Sequence, residues 1–174
     1  MIKGDKVNLR PVMREDLPLL ESWANNLDFT SEFNFFGIRN PANSEKNFNE
    51  DGMLSPKNTT FIIVTQDGTR VGDISFREVP YGPSNNDRVY MIGISLVGEH
   101  RGKGYGTEAQ KLITSYLFST YNIMRVEAST DIENLPEQRS LEKAGFTREG
   151  VLRKSLWRAG AYRDMVIYSK LRGE

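Results

Sequence analysis

The chain has 174 residues, 23 basic and 23 acidic side chains, 38% hydrophobic and 26% charged residues, and no net charge. That is ordinary globular usage for one domain spanning 1–174, and a neutral chain gives no electrostatic case for nucleic acid or an anionic membrane as partner. No cysteine and one histidine, His100, exclude disulfides, thiolate zinc sites, iron–sulfur clusters and a multi-histidine metal site, so no metal is expected.

Val7–Arg10 alternates apolar and polar residues before Pro11 and predicts a short strand. From Asp16 the spacing of Leu19, Leu20, Trp23, Ala24 and Leu27 predicts an amphipathic helix. Residues 28–58 are least regular, with Phe29, Phe33, Phe35, Phe36 and Phe48 among polar residues and one helix over Asn43–Leu54. Thr60–Thr65 and Val71–Arg77 predict a hairpin around Gln66-Asp67-Gly68-Thr69. The turn-rich stretch Pro80–Asp87 leads into a strand over Arg88–Val97. A glycine-rich segment and a helix with Ala109, Leu112, Ile113, Tyr116 and Leu117 on one face come next. A strand over Ile123–Thr130, a helix over Asn134–Ala144 stopped by Gly145, and two strands around Gly160 complete the chain. This order predicts an α/β fold, a mixed, mainly antiparallel central sheet covered by helices. No apolar run approaches the ~20 residues of a membrane helix, and Met1–Asp5 does not read as a signal peptide. A cytoplasmic protein with no membrane partner is therefore expected.

The segment His100-Arg101-Gly102-Lys103-Gly104-Tyr105-Gly106-Thr107 lies between a strand and a helix, where glycines and free amides suit phosphate oxygens. A Walker loop fails, because Val97 stands at its first glycine and Gly104 follows Lys103. A dinucleotide fingerprint fails at Thr107. What remains is Arg-x-x-Gly-x-Gly, filled by Arg101, Gly104 and Gly106. This resembles the acyl-CoA pyrophosphate loop of the GNAT superfamily of N-acetyltransferases. The segment Asn134–Phe146, with Glu149-Gly150-Val151-Leu152-Arg153, Gly160–Asp164 and Tyr168, resembles the ribosomal-protein-acetylating RimJ/RimL-like branch, as do Val7–Pro11 and Glu15–Leu17 near the start.

The resemblance implies direct acetyl transfer from acetyl-CoA, as co-substrate, to a primary amine. The acceptor would be a protein N-terminus, amino acid or peptide, polyamine or antibiotic, and the protein a monomer or homodimer. The alternative is a non-catalytic CoA-binding regulatory module on the same fold. The backbone of Ser95, Leu96 and Val97 would pair with the pantetheine arm. Amides of Arg101, Gly102, Lys103, Gly104, Tyr105, Gly106 and Thr107 would cradle the pyrophosphate. Gly93 fits a bulge or splay that opens the sheet for the cofactor. Asn134 would bind near the thiol end, although its spacing to Glu137 also fits a helix-capping box.

An amine must be neutral to attack. At pH 7 that costs about 4.6 kcal/mol for a lysine-like amine and about 1–1.4 kcal/mol for an α-amine. The chain departs from the superfamily at three positions: Met91 replaces a frequent Glu, Leu141 a frequent Tyr acid, and Glu137 the branch's proton-donating Ser. Glu149 matches the branch's proposed base. Ser140, one helical turn beyond Glu137, is a substitute donor by geometry, and Glu137 would need a raised pKa to serve as acid. The phenylalanines at 29–36 read either as a satellite core or as the border of the acceptor channel. Asp28, Glu32, Glu45, Glu50 and Asp51 would make that channel's mouth acidic if they lined it.

Overall fold

The computed structural model describes residues 1–82 and 88–174, so the end of the turn-rich stretch after Pro80 falls outside the described residues. Twelve elements follow in chain order: β1 (Val7–Pro11), α1 (Leu17–Ala24), α2 (Leu27–Asn34), α3 (Asn43–Asp51), β2 (Asn58–Thr65), β3 (Arg70–Pro80), β4 (Arg88–Leu96), α4 (Tyr105–Thr120), β5 (Arg125–Asp131), α5 (Leu135–Lys143), β6 (Thr147–Arg158) and β7 (Ala161–Leu171). Among the described residues the strands form one seven-stranded sheet in the order β1-β2-β3-β4-β5-β7-β6. Every pairing is antiparallel except β4 with β5.

Alternation along the strands sends side chains to two separate cores. Phe61 and Ile63 join Ala109, Ile113 and Leu117 of α4 and Leu141 of α5 on one face. Ile62 and Val64 join Leu17, Leu20, Trp23 and Phe29 of α1 and α2 on the other. At ~25 cal/mol per Å² of apolar area removed from water, these two layers provide the main driving force for the fold.

The helix expected from Asp16 through Leu27 divides in two. It ends at Asn25, and Asn26 then accepts the Asp28 amide at 2.9 Å and starts α2, leaving Leu27 59% exposed. Within α2 the backbone leaves helical geometry at Ser31, with φ 56° and ψ 173°. The helix expected over Asn43–Leu54 stops at Asp51, because Gly52 adopts φ +69° and turns the chain.

The parallel contact of β4 with β5 is short. Tyr90, Met91 and Ile92 pair with Val126, Glu127 and Ala128, and pairing stops there. From Gly93 onward β4 remains paired to β3 only, and the sheet opens between β4 and β5. The expected splay at Gly93 is present; a bulge is not, since β3 and β4 keep an unbroken register across it.

Candidate active site

Two cavities meet at this opening. A groove of about 990 Å³ runs along Ser95 and Leu96 of β4, across the glycine-rich turn, and past Pro136, Arg139 and Ser140 of α5. A second cavity of about 480 Å³ lies under α1, α2 and α3 against β3, β4 and β5. Both are lined by Phe29, Thr30, Asn34, Ile94, Ser95, Asn134 and Glu137, so these residues mark the junction.

The groove has the features a phosphate-bearing ligand needs. Gly102 and Gly104 hold φ of +75° and +84°, a left-handed conformation that aims consecutive amides outward at the start of α4. Gly104 caps the helix without a side chain. Lys6, Lys111, Arg139 and Lys143 supply positive charge along the groove. Glu108 also borders it, but its carboxylate accepts the amides of Asp5, Lys6 and Val7 at 2.6 to 3.2 Å and so holds the N-terminal loop in place.

The expected cofactor residues divide on inspection. Ser95, Leu96, Arg101, Gly102, Gly104, Gly106, Thr107 and Asn134 line the groove, whereas Val97, Lys103 and Tyr105 do not. The Val97 amide is committed to the Val71 carbonyl at 3.0 Å, and the Val97 side chain packs against the α1–α2 core. The Arg101 guanidinium is also committed: it donates to the main-chain oxygens of Leu96 (3.0 Å), Asp28 (2.7 Å) and Phe29 (2.8 Å). Through Nε and Nη2 it fastens α2 to the turn.

Asn134 caps α5, its side-chain oxygen accepting the Glu137 amide at 3.4 Å while its NH₂ donates to Thr130 at 3.0 Å. The reciprocal half of a capping box does not form, because the Glu137 carboxylate turns to Gln110 of α4 and accepts from it at 2.5 Å. Gln110 in turn accepts from Ser140 at 3.0 Å, and Ser140 contacts the Thr107 hydroxyl at 3.0 Å. A chain of hydrogen bonds thus joins the glycine-rich turn to Glu137. Glu137 fronts both cavities with protein packed around it, and this loss of bulk water pushes its carboxyl up to about 7.

Glu149 stands elsewhere. It lines neither cavity. Its carboxylate takes a two-pronged ion pair from Arg125, at 2.7 Å on one arm, and a hydrogen bond from Ser169 at 2.6 Å. Arg125 opens β5, while the cavity meets that strand at its other end, Ala128 to Thr130. The Arg125 pairing, then Ser169, holds the Glu149 carboxyl down to about 2. A carboxylate so placed and so weakly basic is poorly matched to the role of base expected from the motif.

No sequence motif marks Asp73 of β3, which lines the 480 Å³ cavity beside Ser75 and Ser95. Burial pushes its carboxyl up to about 7, against a weaker opposing pull from Arg39. The alternation of Asp73 and Ser75 with Ile74 and Phe76 is ordinary strand patterning, so only the open sheet next to it marks Asp73 as more than a surface carboxylate. None of Asp28, Glu32, Glu45, Glu50 or Asp51 lines this cavity, and its mouth carries amides from Asn40, Asn43 and Asn47 instead. Phe29 stacks on Trp23 with ring centroids 4.4 Å apart, so it serves the satellite core and the cavity wall together. Among the described residues there is no cluster of three metal-ligating side chains and no helix long and apolar enough to cross a membrane.

A mixed sheet opened between two parallel strands, with a glycine-rich turn at its edge, is the arrangement the sequence resemblance implied. The Acetyltransferase (GNAT) domain profile matches residues 6–147. The chain belongs to the GNAT acetyltransferase family. It is 28% identical over 98% of its length to the probable N-acetyltransferase YjcK of Bacillus subtilis (strain 168), covering 97% of that protein. In fold it is similar to spermidine N-acetyltransferase from Vibrio cholerae, solved with CoA and spermine (TM-score 0.81, 21% identity, 97% of both chains). It is likewise similar to Mycobacterium smegmatis RimJ, solved with CoA-disulfide (TM-score 0.77, 23% identity, 95% of this chain and 82% of that one).

Proposed function

We propose that the protein transfers acetyl from acetyl-CoA to a small-molecule or peptide primary amine, with the co-substrate in the groove and the amine in the 480 Å³ cavity. The observation that carries this reading is the meeting of the two spaces at Ser95, Asn134 and Glu137. Acetyl-CoA supplies a thioester carbonyl for attack and a thiolate as leaving group. The chain's own residues do the rest. Amides of Gly102, Gly104, Gly106 and Thr107 and the lysines of the groove hold the phosphates. The edge of β4 freed after Ile92 offers backbone groups to an extended arm.

Protons are handled from two sides. Asp73 accepts one proton from the incoming ammonium, leaving the neutral amine. As the nitrogen–carbon bond forms and the carbon–sulfur bond breaks, Glu137 gives a proton to sulfur and regains one from nitrogen. The proton on Asp73 then leaves to solvent. A carboxyl near 7 is far better matched to an α-amine near 8 than an ordinary carboxylate is, since each unit of mismatch costs about 1.36 kcal/mol. Glu137 thereby replaces Glu149 as the favoured carboxylate, with Ser140 holding Gln110 rather than donating to substrate.

A CoA-binding module without turnover would not need an ionisable group in the second cavity, and Asp73 there favours the enzyme. The test is calorimetry with acetyl-CoA, ATP and NAD, together with thiol release from acetyl-CoA across an amine panel. Binding of acetyl-CoA alone among the three, with amine-dependent thiol release, is the expected result. Binding with no release for any amine would favour the module, and no binding at all would reject both.

A further inference from the structure

The acceptor cavity contains two opposite charges that no neighbouring side chain neutralises. Asp73 projects from β3 into it, and its carboxylate has no side-chain hydrogen bond or ion pair among the described residues. Arg39 lines the same cavity near its outer end, and no carboxylate stands within ion-pair distance of its guanidinium among the described residues. The two are close enough for Arg39 to draw the Asp73 carboxyl downward against its burial. Arg39 is exposed, but its main chain is fixed in place. Asn25 grips its main chain twice, donating to its carbonyl and accepting from its amide, each at 2.9 Å.

Around these charges the lining is neutral apart from Glu137 at the junction with the groove. Asn34, Asn40, Asn43 and Asn47 provide amides, and Leu20 and Trp23 give an apolar wall. The volume, about 480 Å³, is in the range of small-molecule sites. A polyamine carries cations along its whole length, so with one ammonium at Asp73 a further one would be brought toward the Arg39 guanidinium. A molecule with an ammonium at one end and an anion at the other meets a partner for each.

Resting on the acetyltransferase reading above, we infer that the acceptor is an amino carboxylate, a free amino acid or short peptide, whose ammonium faces Asp73 and whose carboxylate is held by Arg39. Its amine is the nucleophile at the junction with the groove, and Arg39 sets which amines reach it. Free amino acids and peptides share this chemistry, and chain length in the acceptor panel separates them.

The experiment measures kcat/KM by thiol release for apolar amino acids, the same molecules as carboxamides, dipeptides and spermidine, in wild type and Arg39→Met. In wild type the carboxylate form should exceed its carboxamide and spermidine by about 10- to 100-fold, the range of a hydrogen-bonded charge contact. Arg39→Met should erase that gap and leave the KM for acetyl-CoA unchanged. Equal use of carboxylate and carboxamide by wild type, or a preference for spermidine, would overturn the inference while leaving the acetyltransferase reading intact. Absence of both acetyl-CoA binding and thiol release would instead sink that underlying reading. Should Arg39→Met fold poorly, the carboxylate and carboxamide comparison in wild type decides alone.

Discussion

Arg101 and Arg158 hold the main chain of α2 on opposite sides of Ser31. Arg101 donates to Asp28 and Phe29 before the break in the helix, and Arg158 donates to Phe33 at 2.7 Å after it. Arg158 is buried, ion-paired to Asp131 at the end of β5, with its guanidinium over the Phe33 ring at 5.7 Å. A serine at φ 56° and ψ 173° costs about 1–3 kcal/mol and persists only where its surroundings enforce it. These two arginines supply that enforcement, and α2 forms the roof of both cavities.

Replacing Arg101 with Met should therefore act on the free protein first. Loss of three charge-assisted bonds to carbonyl oxygens should cost about 2–4 kcal/mol, read as a lower Tm without ligand. Hydrogen exchange at residues 27–34 should accelerate and the KM for acetyl-CoA should rise. A variant with unchanged Tm but a raised KM would instead assign the Arg101 side chain to the phosphate.

Glu137→Gln should lower kcat by about 10²–10⁴-fold with little change in acetyl-CoA affinity, since Gln can still accept from Gln110 but cannot deliver a proton. Wild-type kcat should fall above about pH 7 as the carboxyl ionises, and this limb should vanish in the variant. Stability carries its own signature. The folded value near 7 exceeds the ordinary 4.5, so between these pH values the folded state binds more protons and loses stability as pH rises. The Tm of Glu137→Gln relative to wild type should thus increase from pH 5 to pH 8. A flat difference, with kcat intact, would remove Glu137 from the chemistry.

Glu149→Gln should turn over near the wild-type rate from pH 6 to 9. Its effect belongs to stability. The folded carboxyl near 2 lies below the ordinary 4.5, so the contribution of the Arg125 pair is complete above 4.5 and fades as pH falls toward 2. Acid melting curves of variant and wild type should accordingly converge at low pH and separate above 4.5. The separation should be modest, because the Glu149 side chain is 39% exposed and salt screens it. A rate loss of 10²-fold or more at full folding would restore Glu149 as the base.

Much of this molecule follows from local pattern. Apolar periodicity located the strands and helices, Gly145 stopped α5 as expected, and the spacing of Arg101, Gly104 and Gly106 marked the turn that starts α4. The division of the first long helix was less legible, since Asn26 reads equally as a helix interior residue or as a cap until its partner amide is seen.

The assignment of chemistry to side chains depended on contacts between residues far apart in sequence. A motif puts Glu149 on the right strand, but Arg125 and Ser169 across two strand pairings fix its carboxylate and its charge. Asp73 looks like an ordinary surface carboxylate in sequence, and Glu137 reads there as a helix cap or a candidate acid; they become ionisable groups of one site only because β4 and β5 separate after Ile92 and α2 covers the gap. Local sequence determines backbone conformation through steric and hydrogen-bonding preferences acting within a few residues. Desolvation and charge pairing, which decide what a carboxylate can do, depend on every element packed around it, and only the folded chain sets those.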